Sequence, residues 1–292
     1  MSEDPFLTHR GLLFTVAYEM LGSAADAEDV VQESWLRWAG LGEAGQAEVR
    51  DPRAYLVRTV TRQALNRLRT LARRREDYVG EWLPEPLLTS PDVAEDVELA
   101  ESVSIAMLTV LESLGPVERA VFVLREVFDV PYDEIAAALD KSPAAVRQIA
   151  HRARGHVAAR RPRMTVSRAE QQQVVERFLA ALTTGDVGGL LDVLAPDVVM
   201  VADGGGLVPT VREPVAGADQ VARVLAMLAE ATPDARISTS LINGAVAARI
   251  DPADASPTAV TFVIEDGRIA RIHAIRNPRK LERLDRVAEL RR

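Results

Sequence analysis

Residues 132–163 run YDEIAAALDKSPAAVRQIAHRARGHVAARRPR. The stretch fits two short helices joined by a tight turn. In Tyr132–Leu139 the apolar residues Ile135, Ala136 and Leu139 share one helical face. Asp140-Lys141-Ser142-Pro143 forms the turn. Ser142 is a good N-cap, and Pro143 stands at the first helical position, where a missing N–H costs nothing. The second helix buries Val146, Ile149 and Ala150 and exposes Arg147, Gln148, His151, Arg152 and Arg154. Lys141–Arg163 holds seven Lys/Arg and no Asp/Glu. A helix pair with a basic, hydrogen-bonding second member suits entry into a major groove. An αα-hairpin with a solvated basic face fits the same pattern, but such a face normally mixes acids with its bases, and this one has none.

Composition frames that pair. At 292 residues the chain is long enough for two or three domains. Hydrophobic content of 48% supplies buried cores, and aromatics at 4% make those cores aliphatic. The chain has no Cys, which excludes disulfides, thiolate nucleophiles and Cys-based zinc sites. It shows no 18-residue apolar run and no signal-peptide pattern, so a soluble, cytoplasmic protein without membrane contact is expected. The net charge of −8 argues against indiscriminate nucleic-acid binding. Charge is unevenly placed, however. Arg50–Arg75 holds nine Arg against one acid, Asp51, whereas Glu76–Glu101 holds nine acids and no base. Two basic blocks separated by an acidic, Pro-containing segment suggest two DNA-contacting modules on a linker.

Upstream of the linker, residues 6–75 are expected to be helical. His9–Leu21 has a periodic apolar set, and Gly22-Ser23 breaks it. Asp26–Trp38, DAEDVVQESWLRW, is amphipathic, with Ala27, Val30, Val31, Ser34, Trp35 and Trp38 at helical spacing and Asp26, Glu28, Asp29 and Glu33 on the other face. On its own it passes for a core helix with a solvated face. A Gly-rich loop (Gly40, Gly42, Gly45) precedes Asp51-Pro52 and a long helix. In that helix Tyr55, Leu56, Thr59, Val60, Ala64, Leu65 and Leu68 point inward, and Arg58, Arg62, Asn66, Arg67, Arg69 and Arg73–Arg75 lie mostly outward. No acid compensates them within Arg53–Arg75, which favours a phosphate backbone over a merely solvated surface. In the acidic segment 76–101, Trp82-Leu83-Pro84-Glu85-Pro86 must run extended, since neither proline fits a helix interior. It suggests a peg that docks, or a mobile loop with a stray aromatic. Val103–Val127 is helical again, broken by Gly115-Pro116.

A different texture starts near Thr165. Ser167 can cap a helix carrying Val174, Val175, Phe178, Leu179 and Leu182, and a shorter one carries Leu190, Leu191 and Leu194. Strand-like runs follow at Val198–Ala202, Arg236–Ile242, Ala245–Asp251, Ala259–Glu265 and Arg268–Ile275, with a helix at Asp219–Ala231. Asp266-Gly267 is a two-residue hairpin signal. The pattern predicts an α+β cone whose antiparallel sheet curls round an apolar pocket, followed by a polar helix after Asn277-Pro278-Arg279-Lys280-Leu281.

Together these segments resemble a known family. DAEDVVQESWLRW, DPRAYLVRTVTRQALNRLRTLARRR and GPVERAVFVLREVFDVPYDEIAAALDKSPAAVRQIAHRARGHV, in that order, resemble the two-domain extracytoplasmic-function sigma factors of bacterial RNA polymerase. The remainder resembles the SnoaL-like (NTF2-like) fold that one sigma subgroup carries as a C-terminal extension, and WLPEP, Asp203-Gly204-Gly205-Gly206 and Asn277-Pro278-Arg279-Lys280-Leu281 are similar to that subgroup's motifs. The resemblance implies a multidomain chain of two all-α domains and an α+β cone: region 2 over 1–80, an acidic linker over 81–100, the region 4 helix-turn-helix over 101–164 and the SnoaL-like domain over 165–292. It implies that Asp26, Asp29, Gln32, Glu33 and Trp35 face core RNA polymerase, and that Arg58, Thr61, Arg62, Asn66 and Arg67 handle −10 promoter DNA. Ser142, Arg147, Gln148, His151, Arg152 and Arg154 would meet −35 DNA. The C-terminal domain would regulate from within the chain, with Trp82, Leu83, Pro84, Glu85 and Pro86 against Asp203, Gly204, Gly205, Gly206, Asn277, Pro278, Lys280 and Leu281, and its pocket could hold a small molecule. No catalytic residue, metal or cofactor is expected. Two rival functions remain: a SnoaL-type cyclase or isomerase using Asp203, Asp197 or His273 as base, and a ligand-sensing repressor that binds duplex DNA without polymerase.

Overall fold

The computed structural model describes residues 4–161 and 167–292, and in residues 72–76 the backbone only. The joint expected near Pro162–Ser167 falls, up to residue 166, outside the described residues, as do the outward side chains of Arg73–Arg75.

The first two helices meet at a tight turn because each begins on a residue that can cap it. Helix α1 (Pro5–Leu21) begins at Asp4, whose carboxylate accepts the Phe6 N–H, and ends at Gly22, in the left-handed region at φ 66°. One residue later the Ser23 hydroxyl caps α2 (Ala24–Ala39). The Gly-rich segment expected as a loop contains a short helix, α3 (Gly42–Glu48), with no buried residue. Helix α4 (Pro52–Glu76) then runs back along both, burying Leu56, Val60, Ala64, Leu65 and Leu68.

Between the basic blocks the chain is more ordered than a linker. Residues 83–87 are buried, and Leu88–Thr89 forms strand β1. Two short helices, α5 (Pro91–Glu95) and α6 (Val97–Val103), occupy the rest of the acidic segment. Helix α7 (Ile105–Glu112) stops before Gly115, α8 (Pro116–Phe122) loosens into a π turn over Val123–Val127, and α9 (Tyr132–Leu139) and α10 (Pro143–Ala158) form the helix pair. The two helical modules are not beads on a string. Leu13, Met20, Val31 and Leu56 belong to the same continuous core as Leu108, Val121, Ile135 and Val146.

Helix α11 (Arg168–Thr184) opens the last domain with a reciprocal capping box between Ser167 and Glu170. Helix α12 (Val187–Val193) leads into β2 (Leu194–Asp203), and β3 (Val215–Ala216), α13 (Ala218–Ala231), β4 (Arg236–Ile242), β5 (Ala245–Asp251), β6 (Thr258–Glu265) and β7 (Arg268–Ile275) follow. The expected final helix is confined to the motif itself, α14 (Pro278–Leu281), and the tail ends in β8 (Val287–Ala288).

The sheet order is β3-β2-β7-β6-β5-β4-β1-β8. It is mixed rather than antiparallel: β2 runs parallel to β7, and β1 parallel to β8. The parallel β2–β7 pairing is possible because β3, helix α13 and β4–β6 intervene, which gives the chain the length a parallel crossover needs. One sheet face packs on α11, α12 and α13 through Phe178, Leu182, Val221, Met200 and Ile272. The other face carries Ile242, Ala247, Ala259 and Ile275 under Leu83, Leu281 and Leu284. The linker and the tail therefore form the outer cover of the sheet, and β1 extends it. From that cover the tail crosses to the helical half, where Leu290 joins the helical core and the Arg291 N–H donates to the Thr15 hydroxyl at 2.9 Å.

Candidate functional site

The structure brings the motif residues of the linker and the C-terminal domain into one seam. Asp203, at the end of β2, is fully buried. Its carboxylate accepts from the Tyr78 hydroxyl at 2.6 Å, the Leu83 N–H at 2.9 Å and Lys280 Nζ at 2.6 Å. Lys280 also donates to the Leu83 carbonyl at 2.5 Å and stands 4.1 Å above the Trp82 ring. Asn277 Nδ2 donates to the Tyr78 hydroxyl at 2.8 Å, and its Oδ1 caps α14 by accepting the Arg279 N–H. Burial, then the adjacent Asp203 carboxylate, push the Tyr78 hydroxyl well above its ordinary value, so it stays a donor.

The glycines after Asp203 are needed for close approach. At Gly205 (φ 59°) a Cβ would lie 2.2 Å from Asn277 Nδ2, and at Gly204 one would lie 2.7 Å from the Val208 carbonyl. Pro84 and Pro86 are buried alongside Leu83, and Pro278 sits at the first position of α14.

Glu85 faces the opposite way, toward the first helical module. Its carboxylate accepts the Ala24 N–H at 2.8 Å, the Ala25 N–H at 3.3 Å and the Ser23 hydroxyl, all at the start of α2. A carboxylate there satisfies orphan amides and complements the helix dipole. Burial raises its pKa, and the amides oppose the rise.

Asn243, which sequence reasoning passed over, sits where three units meet. It occupies the Asn-Gly turn between β4 and β5, with φ 52° at Asn243 and 74° at Gly244. Its Nδ2 donates to the Tyr18 hydroxyl of α1 at 2.7 Å and to the Val103 carbonyl of α6 at 2.6 Å, and its Oδ1 accepts the linker's Leu87 N–H at 2.8 Å. The Tyr18 hydroxyl in turn donates to the Glu85 carbonyl at 2.7 Å. An Asn-Gly dipeptide between two strand-like runs is the local signal that could have marked it; its partners have none, since they lie more than a hundred residues away.

A buried polar cluster also joins the helical modules. Glu19 of α1 accepts from the Ser102 hydroxyl at 2.8 Å, and Arg119 of α8 donates to the Glu19 carbonyl at 3.1 Å and to Glu112 at 2.5 Å. Burial pushes the Glu19 carboxyl up and the Arg119 guanidinium down, and their mutual attraction opposes both.

The expected nucleic-acid and polymerase faces are only partly open. On α2, Gln32, Glu33 and Trp35 are exposed, and Trp35 and Leu36 are 43% and 57% accessible. Asp26 and Asp29 are engaged at home, in ion pairs with Arg67 at 2.6 and 3.1 Å. Of the residues assigned to −10 DNA, Arg58 and Asn66 are exposed. Thr61 is not available: it is fully buried and its hydroxyl bonds back to the Val57 carbonyl at 2.8 Å, because the helix turns that position into the α1 core. Arg62 is bound to α9 and its turn. On α10, Ser142 caps the helix by accepting the Ala145 N–H. Arg147, Gln148 and His151 are exposed on the outward face, as is Arg152, which pairs with Glu118 at 3.7 Å, while Arg154 is paired with Glu126 at 3.1 Å.

The acid–base candidates do not converge. As a base in the rival enzyme reading, His273 would have to face the pocket. The register instead places Ile272 and Ala274 toward the helices and His273 with Ile275 on the outer face. There it is buried, its Nδ1 has no partner among the described residues, and burial lowers its pKa to about 4. Asp197 is exposed at the start of β2. The space between sheet and helices holds Val175, Phe178, Phe262 and Ile272. A cleft of about 440 Å³ opens at the rim instead, lined by Leu191, Pro196, Gly217, Gln220, Arg223 and Arg268. No helix among the described residues is long and apolar enough to cross a membrane.

Comparisons with known proteins agree with this division. The chain matches Sigma-70 region 2 over residues 6–74, Sigma-70, region 4 over 104–157 and the SnoaL-like domain over 175–272. It is 37% identical to the ECF RNA polymerase sigma factor SigJ of Mycobacterium tuberculosis, over 96% of this chain and 93% of that protein. It is 34% identical to the probable ECF RNA polymerase sigma factor SigI of the same species, over 94% and 93%. The crystal structure of M. tuberculosis SigJ superposes with a TM-score of 0.77 at 35% identity, covering 96% of this chain and 98% of that one.

Proposed function

Because the chain belongs to the extracytoplasmic-function RNA polymerase sigma factors, we propose that it binds core RNA polymerase through α2 and directs the enzyme to promoters with separate −35 and −10 elements. One observation carries the reading. An acidic helix with exposed Trp35 and Leu36, an arginine-studded α4 and a basic recognition helix with open Arg147, Gln148 and His151 share one folded body. Gln32, Glu33 and Trp35 make the first contact with polymerase, and Asp26 and Asp29 join once Arg67 releases them. Arg58 and Asn66, then Arg62 and Arg67, hold −10 DNA, whose bases must leave the stack at a cost of a few kcal/mol. Arg147, Gln148, His151 and Arg152 read the −35 duplex from the major groove. Such a protein works in the cytoplasm, where its polymerase is.

The C-terminal domain regulates by fixing how the two helical modules sit. Its seam with the linker and its tail against α1 support this role. A domain in the same chain acts at high effective concentration. It is not a catalyst: the Asp203 carboxylate is taken by three donors and His273 points away from the helices. A small-molecule ligand would enter at the rim cleft beside Arg223 and Arg268.

The test is capture of core polymerase by the full chain, followed by run-off transcription from promoters selected from a random duplex library. Trp35→Ala is expected to lower capture at least about tenfold, as loss of an exposed aromatic anchor does. Failure of the full chain to retain core polymerase would refute the assignment.

A further inference from the structure

Two buried polar atoms on the outer face of the sheet have no partner among the described residues: Nδ1 of His273 and Oγ1 of Thr261. They stand side by side. His273 on β7 lies directly opposite Thr261 on β6, and on its other side opposite Val201 on β2. Neither residue is more than 6% exposed. Their burial comes from the cover. Ile275 and Ala259, two residues along the same strands and on the same face, pack under Leu83 of the linker and Leu281 and Leu284 of the tail, and Val201 packs against them. The linker is tied down at both sides of this face, at Leu83 by the Asp203 carboxylate and at Leu87 by Asn243.

A neutral ring with one empty nitrogen fits under such a cover. An imidazolium does not, since it brings two N–H donors and a charge that needs a partner. The acids around the site are already taken. Asp203 of β2 accepts from Tyr78, the Leu83 N–H and Lys280. Glu85 of the linker faces away, onto the amides of α2. Asp251 of β5 and Asp285 of the tail are both paired with Arg249, and Glu282 is exposed. Lys280 and Arg283 on the tail, and Arg249 on β5, offer no acceptor. Arg271, two residues before His273 on the same face, adds a like charge. Burial and then Arg271 push the His273 pKa down to about 4.

We propose that His273 is a proton-binding site beneath the linker: the seated linker excludes the charged ring, and protonation of His273 releases Leu83–Leu87 from the sheet. The role given to the C-terminal domain names no input; this supplies one. Release is a property of the chain alone and is measured without polymerase, so it stands or falls apart from the promoter assignment. Once the linker lifts, water reaches the ring and its ordinary value of 6.5 returns. Between pH 6.5 and about 4 only the lifted form takes up the proton, so falling pH draws the linker out.

Hydrogen exchange of the full chain from pH 7 to pH 4, corrected for intrinsic exchange, tests this. The comparison is between native chain and His273→Leu, which fills the same place without a titrating group. The ratio of native to His273→Leu protection over residues 78–87 should fall about a hundredfold across that range. Glu85, whose own pKa is raised in the closed form and which therefore favours closure in acid, is common to both chains and cancels. Peptides of α13 should keep a native-to-variant ratio constant within about threefold. As a second measurement, the ring protons of His273, one of four histidines, should report a mostly neutral ring at pH 5.5 in the native chain and titrate at higher pH in Lys280→Met, whose linker lifts. A ratio over residues 78–87 that stays within about threefold overturns the proposal. So does a native His273 that is half-protonated near pH 6.5. Loss of α13 protection in step with residues 78–87 would show that the proton acts on the whole domain, and the linker claim would fall.

Discussion

Lys280→Met is the sharpest probe of the seam. Met keeps most of the apolar stem of Lys280 and removes its charge. The Asp203 carboxylate stays buried, with the Tyr78 hydroxyl and the Leu83 N–H as its remaining donors. Removing one partner of a buried ion pair costs about 3–5 kcal/mol, because the other charge is left uncompensated. The ammonium also serves the Leu83 carbonyl and the Trp82 ring. A desolvated cation over Trp is worth about 2 kcal/mol, but all these contacts share one ammonium, so they overlap within the same range rather than add. The Lys280 side chain is only 12% exposed, so solvent screening reduces the figure little. Asp203 can escape the cost in one way, by letting the linker lift and water enter. The loss therefore shows as local opening more than as global unfolding. At 1.4 kcal/mol per factor of ten, protection of the Leu83 amide against hydrogen exchange should fall by about two to three and a half orders of magnitude. Exchange measured by mass spectrometry on peptides covering residues 78–87, with α13 peptides as the unaffected reference, reads this directly. Asp203→Asn added to Lys280→Met should restore about half of the lost protection in free-energy terms, since the stranded charge is gone. Protection of residues 78–87 within about threefold of native in Lys280→Met would refute the argument. So would a double variant as labile as the single one.

Three further outcomes follow from the same geometry. Asn243→Ala leaves the Leu87 N–H and the Val103 carbonyl without their partner and puts Ala at φ 52°; a loss of about 3 kcal/mol or more is expected, read as a lowered urea midpoint of the full chain. Gly205→Ala places a methyl 2.2 Å from Asn277 Nδ2 at φ 59°, so it should raise hydrogen exchange of residues 78–87 as Lys280→Met does, while leaving the isolated-sheet amides of β5 and β6 unchanged. His273 has a folded pKa of about 4 against an ordinary 6.5, so the unfolded chain binds more protons between those values. Its contribution, about 3 kcal/mol, is fully present above pH 6.5 and lost as pH falls through about 4; His273→Leu should flatten the native acid loss of stability across that window, measured as urea midpoints against pH.

How much of this was legible depends on sequence distance. Tyr132–Leu139, the Ser142 cap and Pro143 announced α9 and α10 almost to the residue, because helix periodicity and capping are local. The strands Arg236–Ile242 and Ala245–Asp251 were legible as strand-like runs for the same reason, a pattern carried by near neighbours. Thr61 went wrong because a Thr on an arginine-rich helix scans as polar, whereas the α1 side of α4 extends to it and its hydroxyl is satisfied by its own backbone. The face of His273 was open in the sequence: alternation fixes that neighbours oppose each other, not which set meets the helices. The acidic segment resembled a tether by charge alone, yet Leu83, Leu87, Val93 and Leu99 are core residues of two different clusters. The tail crossing to α1 through Leu290 carried no local signal at all.

The linker is the element on which the two proposed partners act together. Leu83 is held from one side by Asp203 and Lys280, while two residues on Glu85 caps α2 through the Ala24 and Ala25 amides. Two positions later the same helix presents Asp26, then Asp29, both paired with Arg67 of α4, whose neighbouring turn carries Arg62, itself bonded to the end of α9. A polymerase surface that draws Asp26 and Asp29 away from Arg67 acts on the helix whose first turn Glu85 holds. A change that lifts the linker removes Glu85 from that turn. Binding free energies coupled in this way are reciprocal: whatever factor core polymerase exerts on linker docking, linker docking exerts on polymerase affinity. Lys280→Met and Glu85→Gln should therefore each change capture of core polymerase without touching its contact face. The combined variant should fall short of the product of the two effects, because both loosen one strand. Multiplicative effects in equilibrium capture would show that seam and cap act separately.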